Sequence, residues 1–294
     1  QDFVGSNNIN MLEPVGQFGT RLMGGKDHAS PRYIFTRLTK TALDMFHKDD
    51  DAILKYLDDD GVSIEPEYYL PKIPLVLVNG AEGIGTGYST SVLCYNPDDI
   101  TDNIKRILAG KELKDMHPWY NNFKGKIEST SEANDQYITK GVYEKVSSSE
   151  IRITELPIGK WTQDYKEFLD ALSEKGKITS YDNHSTEDHP NFTIRGYKGH
   201  DPLKDLGLTK AIHTTNMWLM TPRGMKKYAS PDEILVDYVQ IRTKHYMERK
   251  KNLLKEYRFL SDVAMNKAKF VQLVADDKIT VFRRKRDTVE NKIT

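Results

Sequence analysis

Apolar and polar positions change rhythm several times along the chain. Residues 1–29 are rich in Gly and Asn (Gly5, Asn7, Asn8, Asn10, Gly16, Gly19, Gly24, Gly25), which predicts turns and short extended segments. Ser30-Pro31 reads as a helix start, with serine a good N-cap and proline suited to the first helical position. Ile34, Leu38, Ala42 and Met45 then recur at helical spacing, so a helix is predicted to run to about His47. Two acidic clusters follow, Asp49, Asp50, Asp51 and Asp58, Asp59, Asp60, on either side of Ile53, Leu54 and Leu57. They read as a solvated helix with acidic ends, because adjacent aspartates do not reproduce a metal-ligand spacing.

After Pro71 and Pro74, the run Leu75-Val76-Leu77-Val78 predicts a short strand leading into the glycine-rich loop 79–87. Asn96-Pro97-Asp98-Asp99 caps a helix reaching about Gly110. Between about 123 and 220, β-patterned runs (Lys124–Glu128, Glu150–Glu155, Asn191–Tyr197, Met217–Met220) and one helix after Thr162 predict an α+β block on a mixed or antiparallel sheet. Ser230-Pro231-Asp232-Glu233 is a capping box, and neither Pro nor Gly follows it to the C-terminus. A very long helix is predicted, with Leu253, Tyr257, Leu260, Ala264, Ala268 and Val271 recurring every three or four residues. A rod of that length is expected to pack on something outside this chain.

Composition narrows the class. The 294 residues suggest two or three domains, and no apolar run approaches the roughly 18 residues of a membrane span. One cysteine, Cys94, permits neither an internal disulfide nor a thiolate cluster and fits a reducing compartment. Forty-three Lys+Arg offset forty-three Asp+Glu, yet fifteen basic residues stand against seven acidic ones from Arg242 to Lys292. The chain opens at Gln1 with no initiator Met or leader, so it reads as a piece of something longer. His184 and His189 lie in a polar cluster that reads as a loop, and Trp218, between Met217 and Leu219, reads as core.

Candidate chemistry lies in two places. Gly16 to Asp27 puts Arg21 and Lys26 on a glycine-rich backbone just before the predicted helix, an arrangement that attracts phosphate. Arg32 and Tyr33 would sit in the first helical turn, where a neighbouring guanidinium and the positive helix end favour the phenolate. Tyr33 could then attack a phosphodiester, with Arg32 stabilising the pentavalent transition state; alternatively Tyr33 is an ordinary amphipathic-helix aromatic and Arg32 a surface charge. In Gly83-Ile84-Gly85-Thr86-Gly87, Tyr88 stands where a dinucleotide fingerprint needs glycine, and no P-loop lysine follows. What remains is Ile84, either a wedge of the kind that kinks DNA or a side chain tucked into the core. Trp161 beside Lys160 is a further pointer to nucleic acid, with core packing the alternative.

Taken in order, Gln1-Asp2-Phe3-Val4-Gly5-Ser6-Asn7-Asn8-Ile9-Asn10, Gly24-Gly25-Lys26-Asp27, Ser30-Pro31-Arg32-Tyr33-Ile34, the loop Asn79 to Gly87, Ile153-Thr154-Glu155-Leu156-Pro157 and Trp161-Thr162-Gln163-Asp164-Tyr165-Lys166-Glu167 resemble the DNA breakage-reunion core of eukaryotic-type DNA topoisomerase II, a type IIA topoisomerase. The resemblance spans nearly the whole chain. It implies an α+β multidomain fold: the later part of a winged-helix domain over 1–70, a mixed α/β tower over 71–225, and the start of a coiled-coil arm over 226–294. It implies that Tyr33 becomes joined to a DNA 5′-phosphate with help from Arg32, that Ile84 intercalates and bends the DNA, and that Trp161 touches it. Arg21, Lys26 and Lys160 are expected DNA contacts. Mg²⁺ and ATP are implied for the complete enzyme, with their ligands outside this segment, which would hold no metal and no small-molecule substrate. The implied partners are double-stranded DNA and a second copy of the chain, without a membrane, in the nucleus or, for a virus-encoded enzyme, in host cytoplasm or virion. Alone, the segment is expected to cleave nothing. A non-catalytic DNA-bending fragment is the competing reading. Ser91 to Tyr95 and residues 176–205 depart from the family pattern, which affects the outline of the tower.

Overall fold

The computed structural model describes residues 1–221 and 224–290. The end of the expected coiled-coil arm, residues 291–294, lies outside the described residues. The chain forms two compact units, one of residues 1–47 and 71–240, the other of residues 48–70 and 241 onward. The mixed α/β character and the long C-terminal helix expected from the sequence are both present.

In the first unit, strand Glu150–Glu155 alternates inward and outward positions, with Ile151, Ile153 and Glu155 buried. It is flanked by Val142–Lys145 on one side and Phe192–Arg195 on the other, and Ser180–Asn183 completes an antiparallel four-stranded sheet. Helix Thr162–Glu174 packs Tyr165 and Leu169 against Ile151, Ile153, Phe192 and Ile194, and the Tyr165 hydroxyl donates to Leu206 O (2.9 Å). A three-stranded antiparallel sheet (Thr209–His213, Gln136–Lys140, Lys126–Ser129) lies in the same unit. A second core gathers Leu77, Val92, Tyr95, Ile100, Met217, Tyr228 and Leu235. It joins the base of hairpin Ala81–Gly85/Tyr88–Val92 to hairpin Met217–Thr221/Gly224–Tyr228. Trp218 itself is half-buried rather than core.

Two predicted elements of this unit are corrected here, and the solvated helix predicted between the acidic clusters is corrected with the second unit. No helix spans 30–47. Pro31–Tyr33 is a single 3₁₀ turn without a side-chain cap, residues 34–39 are extended, and only Lys40–Met45 is helical, capped by Thr39. The extended stretch pairs with residues 11–15 through Glu13 N–H to Arg37 O, both Val15–Phe35 bonds, and Thr39 N–H to Met11 O, so ribbon hydrogen bonds displace helical ones. Leu75–Val78 is a helical turn rather than a strand, because Pro74 O accepts the N–H groups of Leu77 and Val78 and burial of Leu77 and Val78 overrides β-branched propensity. The helix capped at Asn96 runs from Pro97 to Leu108 as expected. So does the long one, Pro231–Ala275: Ser230 Oγ accepts Glu233 N–H (3.3 Å) and the Glu233 carboxylate accepts Ala229 N–H (3.0 Å). No described helix is long and apolar enough to cross a membrane.

In the second unit the acidic clusters fall in different elements. Asp49, Asp50 and Asp51 lie in the 3₁₀ helix Lys48–Ile53, whereas Asp58 and Asp59 end a strand that turns back at Asp60-Gly61. Both turn residues have positive φ (51° and 84°), the signature of a type I′ hairpin, which an Asp-Gly pair favours. Asp50 is buried and its carboxylate binds the guanidinium groups of Arg242 (2.5 Å) and Arg249 (3.3 Å), which also bracket the Tyr246 ring at 4.2 and 4.8 Å. Removing one member of a buried ion pair costs about 3–5 kcal/mol. Asp50→Ala is therefore expected to lower the melting temperature by several degrees in calorimetry, and an unchanged melting temperature would contradict this role.

Candidate nucleic-acid interface

The ribbon of residues 11–17 and 29–39 carries Tyr33 in its 3₁₀ turn, where Tyr33 N–H donates to Ser30 O (2.9 Å). The Tyr33 side chain is 66% exposed, the Arg32 guanidinium lies 4.9 Å from its ring centroid, and Phe35 beside them is 73% exposed. The phenol is thus open to an incoming ligand. A three-residue turn has no useful macrodipole, so the helix end expected to polarise Tyr33 is missing, and Arg32 is the cation at hand.

The tip of the ribbon, residues 18–28, is held by several hydrogen bonds from outside it. Gln1 Nε2 donates to Phe18 O (2.8 Å) and Gly25 O (3.0 Å), and Gln163 N–H donates to Leu22 O (2.9 Å). Asp27 accepts from Thr20 N–H (2.8 Å) and Thr20 Oγ1 (2.5 Å). Partial burial pushes the Asp27 carboxyl upward, but the Thr20 hydrogen bonds, with its own backbone N–H and His28, together bring it below its ordinary value. The indole of Trp161 lies across Gly24, where a Cβ would collide with the ring, and meets Phe3 edge-on at 5.6 Å. With φ of +61°, Gly24 is doubly restricted to glycine.

The expected cationic contacts separate into different roles. Lys26 is exposed on the loop. Arg21 is a correction: it is 2% exposed and its guanidinium pairs with the Glu155 carboxylate, with a further bond to Asp188 O (3.4 Å), leaving it no surface to offer DNA. Lys160 is also engaged internally, donating to Gly207 O (2.9 Å) with its ammonium over Phe168 (4.5 Å) and Tyr165 (5.1 Å). Burial, and then repulsion from Lys210, holds it below the ordinary lysine value. Trp161, half-buried, first serves to pack the loop. Sequence reasoning missed Glu155 as the anchor of Arg21. An acid on the inward phase of an alternating strand was the available signal.

Ile84 stands on the second feature, the hairpin closed by Thr86-Gly87, and is 94% exposed with glycines on both sides. It is not tucked into the core. Leaving an isoleucine in water forgoes about 1.5–3 kcal/mol of burial. Among the described residues no three His, Cys, Asp or Glu side chains converge as metal ligands, and Asp50 is committed to two arginines.

The family model for the A subunit of DNA gyrase/topoisomerase IV matches residues 1–294. The chain belongs to that family. It is 45% identical to the DNA topoisomerase 2 of Arabidopsis thaliana over 307 residues, covering 99% of this chain and 21% of that protein. It is 44% identical to the DNA topoisomerase 2 of Plasmodium falciparum over 301 residues, covering 97% and 21%. The crystal structure of the Plasmodium falciparum topoisomerase II DNA-binding, cleavage and re-ligation domain superposes with a TM-score of 0.91 at 42% identity, covering 100% of this chain and 41% of that one. The chain thus spans about a fifth of the length of these topoisomerase 2 relatives.

The internal and exposed cations are expected to separate by experiment. Arg21→Ala should destabilise the protein by about 3–5 kcal/mol through the stranded Glu155, whereas Lys26→Ala should stay within about 0.5 kcal/mol. Denaturant titration of both variants is the check, and equal stabilities would refute the assignment.

Proposed function

We propose that this chain is the DNA breakage-reunion segment of an ATP-dependent type IIA topoisomerase, an isomerase acting as a homodimer on nuclear double-stranded DNA. The carrying observation is an exposed tyrosine beside an arginine, on a clamped ribbon, in a chain whose solved relative is a DNA-binding, cleavage and re-ligation domain. On this reading residues 1–70 belong to a winged-helix domain, 71–225 to a tower and 226–294 to the outgoing coiled-coil arm.

The Tyr33 hydroxyl gives up its proton and its oxygen attacks the phosphorus of a DNA phosphodiester. A tyrosyl–phosphorus bond forms as the bond from phosphorus to the 3′ oxygen breaks, and that oxygen takes up a proton. The DNA 5′-phosphate is then joined to Tyr33. One ester replaces another, so the reverse attack reseals the strand without external fuel. Arg32 offers a fork of donors to the charge on the pentavalent phosphorus. Ile84 enters between base steps and bends the duplex, and Lys26 contacts its phosphates. Trp161 supports the loop and presents its exposed edge to DNA. Mg²⁺ and ATP belong to other segments of the complete protein, and no step above runs through them.

In the full-length enzyme, Tyr33→Phe is expected to abolish the covalent protein–DNA adduct trapped by denaturation while DNA affinity is retained. Arg32→Ala should slow adduct formation by about 10²–10³-fold. Adducts persisting in the Tyr33→Phe protein would remove the nucleophile. The competing reading, bending without cleavage, requires that the wild-type protein form no adduct at all.

A further inference from the structure

Strand Thr209–His213 lies at the edge of the three-stranded sheet, paired on one side only, with Gln136–Lys140. Leu208 O accepts Gly141 N–H (2.9 Å) and Thr214 N–H donates to Asp135 O (3.0 Å), so the even-numbered positions of this strand bond inward along the ladder. The odd-numbered Ala211 and His213 turn their N–H and C=O groups to the free edge, and both residues line a groove of the first unit. The base of the Ile84 hairpin lines the same groove. In that hairpin Glu82 lies directly across the ladder from Ser91, as Ile84 does from Ser89, so these four side chains share one face. Glu82 and Ser91 border the groove, and so does Asn216, whose side-chain amide donates to Ser89 Oγ (2.9 Å). The Ile84 face therefore opens onto it.

Trp161 and Lys210 complete this wall. Lys210 is exposed and donates to Gly159 O (2.9 Å), and a Cβ on Gly5 would meet both the Trp161 ring (3.5 Å) and Gly159 N (3.8 Å), so indole and ammonium lie close together. Among the described residues no carboxylate is paired with Lys210, while its charge repels the ammonium of Lys160. An exposed cation with a like-charged neighbour is favoured by an incoming anion. On the proposed reading a duplex that meets both Ile84 and Trp161 spans this groove, and its phosphates are the anions at hand. Resting on that reading, we propose that Lys210 is a further DNA-positioning contact: its ammonium, with the edge-facing N–H of Ala211, holds a backbone phosphate of the duplex between the Ile84 wedge and Trp161.

The test measures binding of the full-length enzyme to a duplex over a range of salt, with Tyr33 adducts trapped from the same samples. Lys210→Ala is expected to lower the slope of log affinity against log salt by about one, the share of a single phosphate contact, and Lys210→Arg to restore it. Lys177 is exposed and lies outside the groove, and Lys177→Ala is expected to leave the slope unchanged. A neutral methylphosphonate is then moved along the duplex one position at a time. At one position it should weaken binding of the wild type and not of Lys210→Ala. An unchanged slope in Lys210→Ala, a slope lowered equally by Lys177→Ala, or the absence of any such position overturns this contact, and wild-type adducts in the same samples then leave the proposed function standing. A slope lowered by Lys210→Ala alone, with no wild-type adduct, keeps the contact and removes the breakage role of Tyr33. Neither a changed slope nor an adduct removes both.

Discussion

The placement of Tyr33 depends on the buried pair between Arg21 and Glu155. Glu155 closes an inward-facing strand position, and its carboxylate accepts backbone N–H groups from Leu156 (2.9 Å) and Lys124 (3.2 Å) as well as the guanidinium. Such a pair adds little net stability over a well-packed apolar substitute, since both ions lose their water. Its value lies in uniqueness. Any other seating of the ribbon tip would leave a lone charge in the interior. The loop is thereby fixed against the sheet, and the ribbon that carries Tyr33 starts from a defined point. Trp161 over Gly24 and Gln1 across Phe18 and Gly25 then close the remaining freedom.

What could be read from the sequence follows from how many physical solutions each pattern allows. The long helix had one: a capping box, no breaker afterwards, and spacing of three and four. Strand Glu150–Glu155 was equally legible because alternation has period two. The stretch 30–47 failed because Ile34, Leu38 and Ala42 are four apart, a spacing that also places residues on one face of a strand. Only the long-range pairing with residues 11–15 decides between them, and no local signal records it. Leu75–Val78 failed for a similar reason, since four apolar residues fit a buried turn or a strand equally well.

Charge was less legible still. Counting lysines and arginines along 16–37 gives a cationic segment, but a count does not say where each charge goes. Arg21 turns inward to Glu155 and Lys160 to a carbonyl and two rings, whereas Arg32 and Lys26 remain outside. The apolar residues divide by the same logic in reverse. On local pattern alone Tyr33 read equally well as an amphipathic-helix aromatic and Ile84 as a core side chain; the longer motifs around them, and not their own spacing, marked both as candidates from the sequence.

The loss of the predicted helix changes the electrostatics of the proposed reaction as well as the fold. A helix start would have offered Tyr33 several unpaired N–H groups and a partial positive charge. The 3₁₀ turn offers neither, because Tyr33 N–H and Ile34 N–H are already spent on Ser30 O and Pro31 O. In the proposed reaction Arg32 is left as the local source of stabilisation on this turn. This chain's own contribution is then mainly positional. A reacting oxygen held to within a fraction of an ångström removes much of the entropic barrier to an in-line displacement. What the ribbon supplies toward this is a backbone turn fixed by the Tyr33 N–H to Ser30 O and Phe35 N–H to Val15 O bonds, with the phenol itself left open.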